Sequence, residues 1–455
     1  MFILVKAFSV NRKIEIFRVS SGKPEPYLSH PRAWLVWSHA GKLKSYGVTS
    51  MIKGGTIWAA SMALCAILAQ DWDRAISLYN QKQYRAAIRE FHAVLRANQD
   101  YWQAWYYIGA SHFELKSYED AIDAFQNYVR SAQGRQREEA VGRYFIGVSY
   151  YHLGQYEKAI AELKNYLNLI GQVRASADIS LQASLDREEA SGHYFIGLAH
   201  YQLKQYDKAA PELLSYITAS ERLKEAVEPA ARAALGRCYI FANRFSEAIP
   251  MLTTAAAQMK NNASNYYYLG YAQHRLGRDD QAIVALKEAL AIDPKDADSL
   301  LLLGQIYLMR STQGPAMIKQ AVEIGDRLLA VRDDEYAWDL LGRALLLDGQ
   351  YDKAAPLLEK VARAHQDSAP AWFNFGLALS RSGEWARAAE ALERAVSLAP
   401  NNVVALLELG YVYESSKQFE KALAAYQRAY QASGRRDEGV RASIERVKQA
   451  ISKPQ

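Results

Sequence analysis

The sequence predicts an all-α chain, a solenoid of about ten helix–turn–helix repeats closed by a C-terminal capping helix. Three observations predict it. First, Ala75, Gly109, Gly147, Gly197, Gly236, Gly270, Gly304, Gly342, Gly376 and Gly410 mark one recurring position, and five of the nine steps between them are 34 residues. Second, alanine recurs twelve residues beyond most of these glycines, at Ala121, Ala159, Ala209, Ala248, Ala282, Ala354, Ala388 and Ala422. Third, the apolar residues follow a helical period, as in Ala282, Ile283, Leu286, Ala289 and Leu290. A self-similarity of this length belongs to a two-helix unit that buries its apolar face only by stacking on its neighbours.

Taken in order along the chain, residues 1–50 show no period and carry Pro24, Pro26 and Pro31. They hold eight basic residues (Lys6, Arg12, Lys13, Arg18, Lys23, Arg32, Lys42, Lys44) and two acidic ones, Glu15 and Glu25. That segment accounts for the whole formal charge of +6, so the remainder balances to zero. Residues 51–69 have the form of a secretory signal: Met51 and Lys53, an apolar run from Ile57, and a small residue at Ala69. The run is too short to span a membrane comfortably. Met51 is therefore expected to be the true start, with cleavage after Ala69; otherwise residues 55–69 are a buried helix leading into the first repeat.

The repeat array is expected over residues 70–434. Glycine inside a helix costs about 1 kcal/mol relative to alanine, so nine glycines at one position imply close helix–helix approach. With that glycine numbered eighth in each repeat, large residues fall at the fourth, seventh and twenty-fourth positions, as Trp105, Ile108 and Phe125. Pro294 and Pro400 follow second helices, which a residue without an N–H cannot continue. Two irregularities stand out. Arg137-Glu138-Glu139-Ala140-x-Gly142 recurs as Arg187-Glu188-Glu189-Ala190-x-Gly192, a duplication separated by an insertion at about 171–186 that extends a helix or forms a loop. Gly314-Pro315 breaks the usual turn. Residues 435–455 read as a capping helix and tail, with Val440, Ile444, Val447 and Ile451 inward.

The best copy runs Trp372-x2-Phe375-Gly376-x2-Leu379, then Ala388-x3-Leu392, Ala395 and Pro400. This resembles the tetratricopeptide repeat, with Phe for Leu, Leu for Tyr and Leu for Phe. The resemblance implies a right-handed superhelix whose inner groove is lined by first helices, chiefly at the second, fifth, ninth and twelfth positions. It also implies a non-catalytic scaffold for partner proteins or peptides.

Chemistry is sparse. No phosphate loop, His-Glu-x-x-His, Cys-x-x-Cys or Gly-x-Ser-x-Gly sequence occurs, so no catalytic, cofactor or metal site is expected. Cys238, His112, His193 and His200 fall at helix-packing positions. The uncharged balance of residues 51–455 does not support nucleic-acid binding by bulk charge.

Placed on the inner-groove positions, the chain presents Tyr106, Phe113, Tyr144, Tyr151, Tyr194, Tyr201, Tyr267 and Tyr271, and then Arg237, Arg275, Arg343 and Arg381. Tyrosine offers a rigid face and a hydroxyl, which suits peptide binding, and the same ring stacks on a sugar. Asn is absent from the ninth positions, so the clamp that related repeats use on acidic chaperone tails is not present. The expected function is a bacterial adaptor in the periplasm or outside the cell, holding protein partners in a Tyr-lined groove. The alternatives are a polysaccharide-guiding scaffold of an export system and, if residues 51–69 are no signal, a cytoplasmic adaptor.

Overall fold

The computed structural model describes residues 71–434 and 436–452, so the expectations for residues 1–50 and for the signal at 51–69 lie outside the described residues. Within them every regular element is helical. The described chain forms two compact units dividing between Arg244 and Phe245. The first holds α1 (residues 71–80), α2 (Tyr84–Ala97), α3 (Ala104–Glu114), α4 (Tyr118–Ser131), α5 (Gln136–His152), α6 (Tyr156–Ala175), α7 (Ile179–Gln202), α8 (Tyr206–Arg222) and α9 (Pro229–Phe241). The second holds α10 (Phe245–Gln258), α11 (Ala263–Arg275), α12 (Asp279–Ile292), α13 (Ala297–Met309) and α14 (Pro315–Val331), the last two joined by a 3₁₀ turn at Ser311–Gln313. It continues with α15 (Glu335–Leu347), α16 (Tyr351–Ala364), α17 (Ala369–Arg381), α18 (Trp385–Leu398), α19 (Val403–Ser415), α20 (Phe419–Ala432) and α21 (Glu438–Ser452).

Each repeat is a hairpin whose reversal has a local cause. The fifteenth residue takes positive φ at Lys82, Lys116, Gly154, Lys204, Asn243, Gly277, Gly349, Gly383 and Lys417. A left-handed residue ends the first helix and lets the next N–H groups reach back to its last carbonyls, as Gln155 N does to Tyr150 O at 2.9 Å. The repeat that breaks the rule is the one containing Gly314-Pro315, where the 3₁₀ turn replaces the left-handed residue and Pro315 starts α14.

The small residues do what the repeat requires. The eight alanines at the twentieth position are fully buried. At Gly376 an added Cβ would stand 2.7 Å from Leu392 Cγ, well inside an ordinary carbon–carbon contact. Gly304 differs: its nearest neighbour is Leu340 Cδ2 of the following first helix, at 2.5 Å for an added Cβ. The longer step through Gly314-Pro315 thus draws α13 and α15 together.

The insertion lengthens the second helix of one repeat and the first helix of the next. α6 continues to Ala175 and α7 starts at Ile179. Arg174 ties the extension together, reaching Asp186 at 2.7 Å and Glu189 at 2.6 Å. Along the duplication, Arg137 pairs with Glu188 at 3.3 Å and Arg187 with Glu225. At the fourth position Arg143 holds Glu162 at 2.9 Å, and His193 holds the equivalent Glu212 at 2.5 Å. The terminal helix buries Val440, Ile444 and Val447, whereas Ile451 is exposed past its last packed turn. Within each unit, successive first helices pack on one another and second helices do not pack as closely. The first helices are therefore the inner row.

Candidate binding groove

In the first unit the predicted groove aromatics pack against other rings of the array. Tyr106 and Phe113 of α3 both pack on Phe145 of the next first helix, with ring centroids 6.0 and 5.6 Å away. One repeat later, Tyr144 and Tyr151 of α5 pack on Phe195 of α7 at 6.1 and 5.5 Å. The fifth and twelfth positions thus hold the sixth-position phenylalanine of the following repeat between them. Tyr194 is a core residue, 9% exposed and 4.8 Å from the Tyr216 ring. Tyr201 lies 5.8 Å from Tyr206, and its hydroxyl accepts from Arg237 at 3.4 Å. Burial pushes the phenols of Tyr106, Tyr144, Tyr151 and Tyr194 above their ordinary range. These rings are joints between repeats as much as a lining.

The predicted cations of the second unit have partners too. Arg275 donates to the Tyr271 hydroxyl at 2.8 Å, and its guanidinium lies 4.8 Å from the Phe245 centroid. Tyr271 in turn lies 6.4 Å from Tyr267, whose phenol burial pushes up. Arg343 pairs with Asp339 one turn away at 3.2 Å. Arg381 takes both oxygens of Glu408, at 2.7 and 3.2 Å, and faces the Tyr411 ring.

The open surface of the second unit lies elsewhere on the inner row. A cleft of about 630 Å³ runs across α13, α15 and α17. Leu301 and Gln305 form one wall, Pro370 and Asn374 the other, and α15 supplies the middle. Of the predicted residues, Arg343 is the one the cleft contains. Its depth is apolar, from Leu340 and Val361; its rim is polar, with Glu335 paired to His365 Nε2 at 2.9 Å. Asp334 starts α15, accepting the N–H groups of Tyr336 and Ala337 at 3.1 and 3.2 Å. That cap fixes Tyr336 at the mouth, where its side chain is 51% exposed. The cleft coincides with the site where the longer repeat step pulls α15 onto Gly304.

Tyr336 belongs to a row. Tyr336, Pro370 and Val404 occupy second positions of three consecutive repeats, 34 residues apart, and all three are exposed. Met309 of α13 and Leu347 of α15, both at thirteenth positions, also expose apolar side chains on first helices. Among the second helices of this unit, Val284 and Val331 are the large apolar residues so exposed. The spacing of Tyr336, Pro370 and Val404 was the sequence signal for this surface. Reading the groove by tyrosine and arginine alone passed it over.

No cluster of His, Cys, Asp or Glu suited to a metal ion occurs among the described residues, and no described helix is long and apolar enough to cross a membrane. Cys238 is buried, which pushes its thiol up to about 12.

Four stretches match repeat models. Residues 73–136 and 142–172 match tetratricopeptide repeat models, residues 274–310 a TPR repeat, and residues 347–448 the middle TPR-like domain of cilia and flagella-associated protein 70. No curated protein matches the chain. Among solved structures, the chain is similar to YrrB, described as a TPR protein with an unusual peptide-binding site. The identity is 21%, over 43% of this chain and 97% of that one, with a TM-score of 0.39. It is also similar to MamA, at 27% identity over 38% of this chain and 98% of that one, TM-score 0.35. For MamA from Desulfovibrio magneticus the values are 24%, 38%, 97% and 0.35.

Proposed function

We propose that the chain is a non-catalytic scaffold that holds a segment of a partner protein against the inner row of its second unit. The observation that carries this is where the exposed apolar side chains lie. Tyr336 and Val404 are 51% and 61% exposed, in a row with Pro370, and the apolar-floored cleft opens beside them. Exposed apolar surface of this kind, gathered on one face and rimmed by polar groups, is what a protein-binding site presents. A helix face built on packed repeats also presents it rigidly, which lowers the ordering cost of binding.

The polysaccharide alternative needs open aromatic faces in a row. Tyr106, Tyr144 and Tyr194 are each packed edge-on or tilted against a neighbouring ring, so it draws no specific support. Placement in a bacterial envelope remains part of the proposal and rests on residues 51–69. The intact mass of the native protein tests it: a chain starting at Gln70 supports export, and one retaining residues 1–69 removes it.

For the scaffold itself, Tyr336→Ala combined with Val404→Ser is the test. The pair should abolish co-purification of partners from the native source while leaving helicity unchanged. Undiminished co-purification would move binding to another face.

A further inference from the structure

We infer that the cleft of the second unit takes its partner segment by a basic side chain, a lysine or arginine seated between Glu335 and Asp339 and the ring of Tyr336. The inference rests on the scaffold reading and names the chemistry of what is held.

Charge around the cleft is unequal. Asp298, Asp333, Asp334, Glu335 and Asp339 lie on or beside α13 and α15, against three permanent cations, Arg332, Arg343 and Lys360. Those cations are engaged: Arg332 with Asp334, Lys360 with Asp333 at 3.7 Å, and Arg343 with Asp339 at 3.2 Å. Asp298, in the same second-position row as Tyr336, makes no salt bridge among the described residues, though its charge acts on Arg332. Glu335 faces His365, a partner that is cationic only when protonated. The surplus at neutral pH is negative, and it sits at the mouth of a cleft with an apolar floor.

Geometry selects a cation over an anion. An incoming carboxylate would have to displace Asp339 from Arg343 and then lie beside Glu335. An incoming ammonium or guanidinium joins pairs already made: it shares Glu335 with His365 and Asp339 with Arg343, and brings the charge that the negative surplus lacks. The Tyr336 ring, 51% exposed, already carries a cation in this setting, with Arg332 5.2 Å from its centroid. The aliphatic stem of the incoming side chain would lie along Leu301 and Leu340. Each of the two charge contacts is worth about two- to fivefold in affinity at a partly exposed site, about tenfold together.

The test uses the full chain, immobilised, against a random dodecapeptide display library. Lysine or arginine next to an apolar residue should be enriched. The leading peptide should bind about tenfold more weakly when that residue is replaced by glutamine, and the difference should vanish on Glu335→Gln/Tyr336→Ala protein. Glu157→Gln, an exposed change on α6, serves as the charge control and should preserve it. Enrichment of acidic or uncharged peptides would overturn the inference while leaving the scaffold reading standing. So would a lysine-to-glutamine loss that persists in the double variant. If no peptide is enriched, the peptide-holding reading of this cleft falls as well.

Discussion

Replacing Gly376 by alanine tests the packing logic of the array at one atom. The new Cβ would lie 2.7 Å from Leu392 Cγ, 3.0 Å from its Cδ2 and 3.2 Å from its backbone nitrogen. Carbon contacts are comfortable at about 3.5–4.0 Å, so α17 and α18 must part or Leu392 must turn. Leu392 is fully buried, so any turn of its side chain falls on the core residues around it. Overpacking of this kind costs about 1–3 kcal/mol, and alanine's better helix propensity returns about 1 kcal/mol. The net is a loss of about 1 kcal/mol. Gly171, in α6, provides the comparison, because an added Cβ there meets nothing within 4 Å. Gly171→Ala should therefore stabilise by about 0.5–1 kcal/mol.

Urea denaturation followed by far-ultraviolet circular dichroism gives the direction of each shift. Hydrogen exchange in α17–α18 and in α6 then locates it, since neighbouring repeats couple locally. On a Leu392→Ala background the Gly376→Ala change should lose its penalty. Equal stabilisation by both glycine substitutions in the otherwise native chain would refute the close-approach account.

Three further outcomes follow from the same structure. Glu414 accepts both Arg446 nitrogens, at 2.7 and 2.9 Å, and the Arg446 guanidinium chiefly holds its carboxyl below the usual range. A depressed carboxylate contributes stability above its unfolded pKa and loses it as pH falls through the folded one. Exchange protection of α21 should accordingly drop on acidification through and below the ordinary carboxylate range, and Glu414→Gln should abolish that pH dependence. Cys238, with its thiol pushed up to about 12, should resist a thiol reagent at pH 8 in a Cys65→Ser chain until the protein is unfolded; labelling of the folded chain would contradict its burial. Deleting residues 369–402, one full period, should leave a cooperatively folded array that has lost the cleft wall formed by Pro370 and Asn374. An unfolded deletion chain would show that the repeats are not modular.

Much of the fold was legible because the repeat states each requirement many times. Alanine at the twentieth position and glycine at the eighth recur where two backbones meet, and both are buried as that demands. Other features depended on what only packing decides. A lysine can adopt the left-handed conformation that ends a first helix, as Lys82, Lys116, Lys204 and Lys417 do, yet lysine carries no such preference in a sequence. The insertion was compatible with a loop or a longer helix, and Arg174 bridging to Asp186 and Glu189 accompanies the longer helices. The candidate site was less legible. Tyr106 and Tyr144 occupy groove positions, but the approach of successive first helices turns them onto Phe145 and Phe195. Tyr336 was visible only as part of a row, and its exposure is set by the Asp334 cap and the longer step before it.

The most direct measurement is photo-crosslinking of the full chain in its native cells, with a benzophenone side chain at position 336 or 404 of the inner row and at 284 on the outer helices. The account predicts a discrete protein adduct from 336 and 404, mapped by mass spectrometry to a lysine- or arginine-containing segment of the partner, and none from 284. Adducts from 284 with none from 336 and 404 would contradict it and place the binding surface on the outer row.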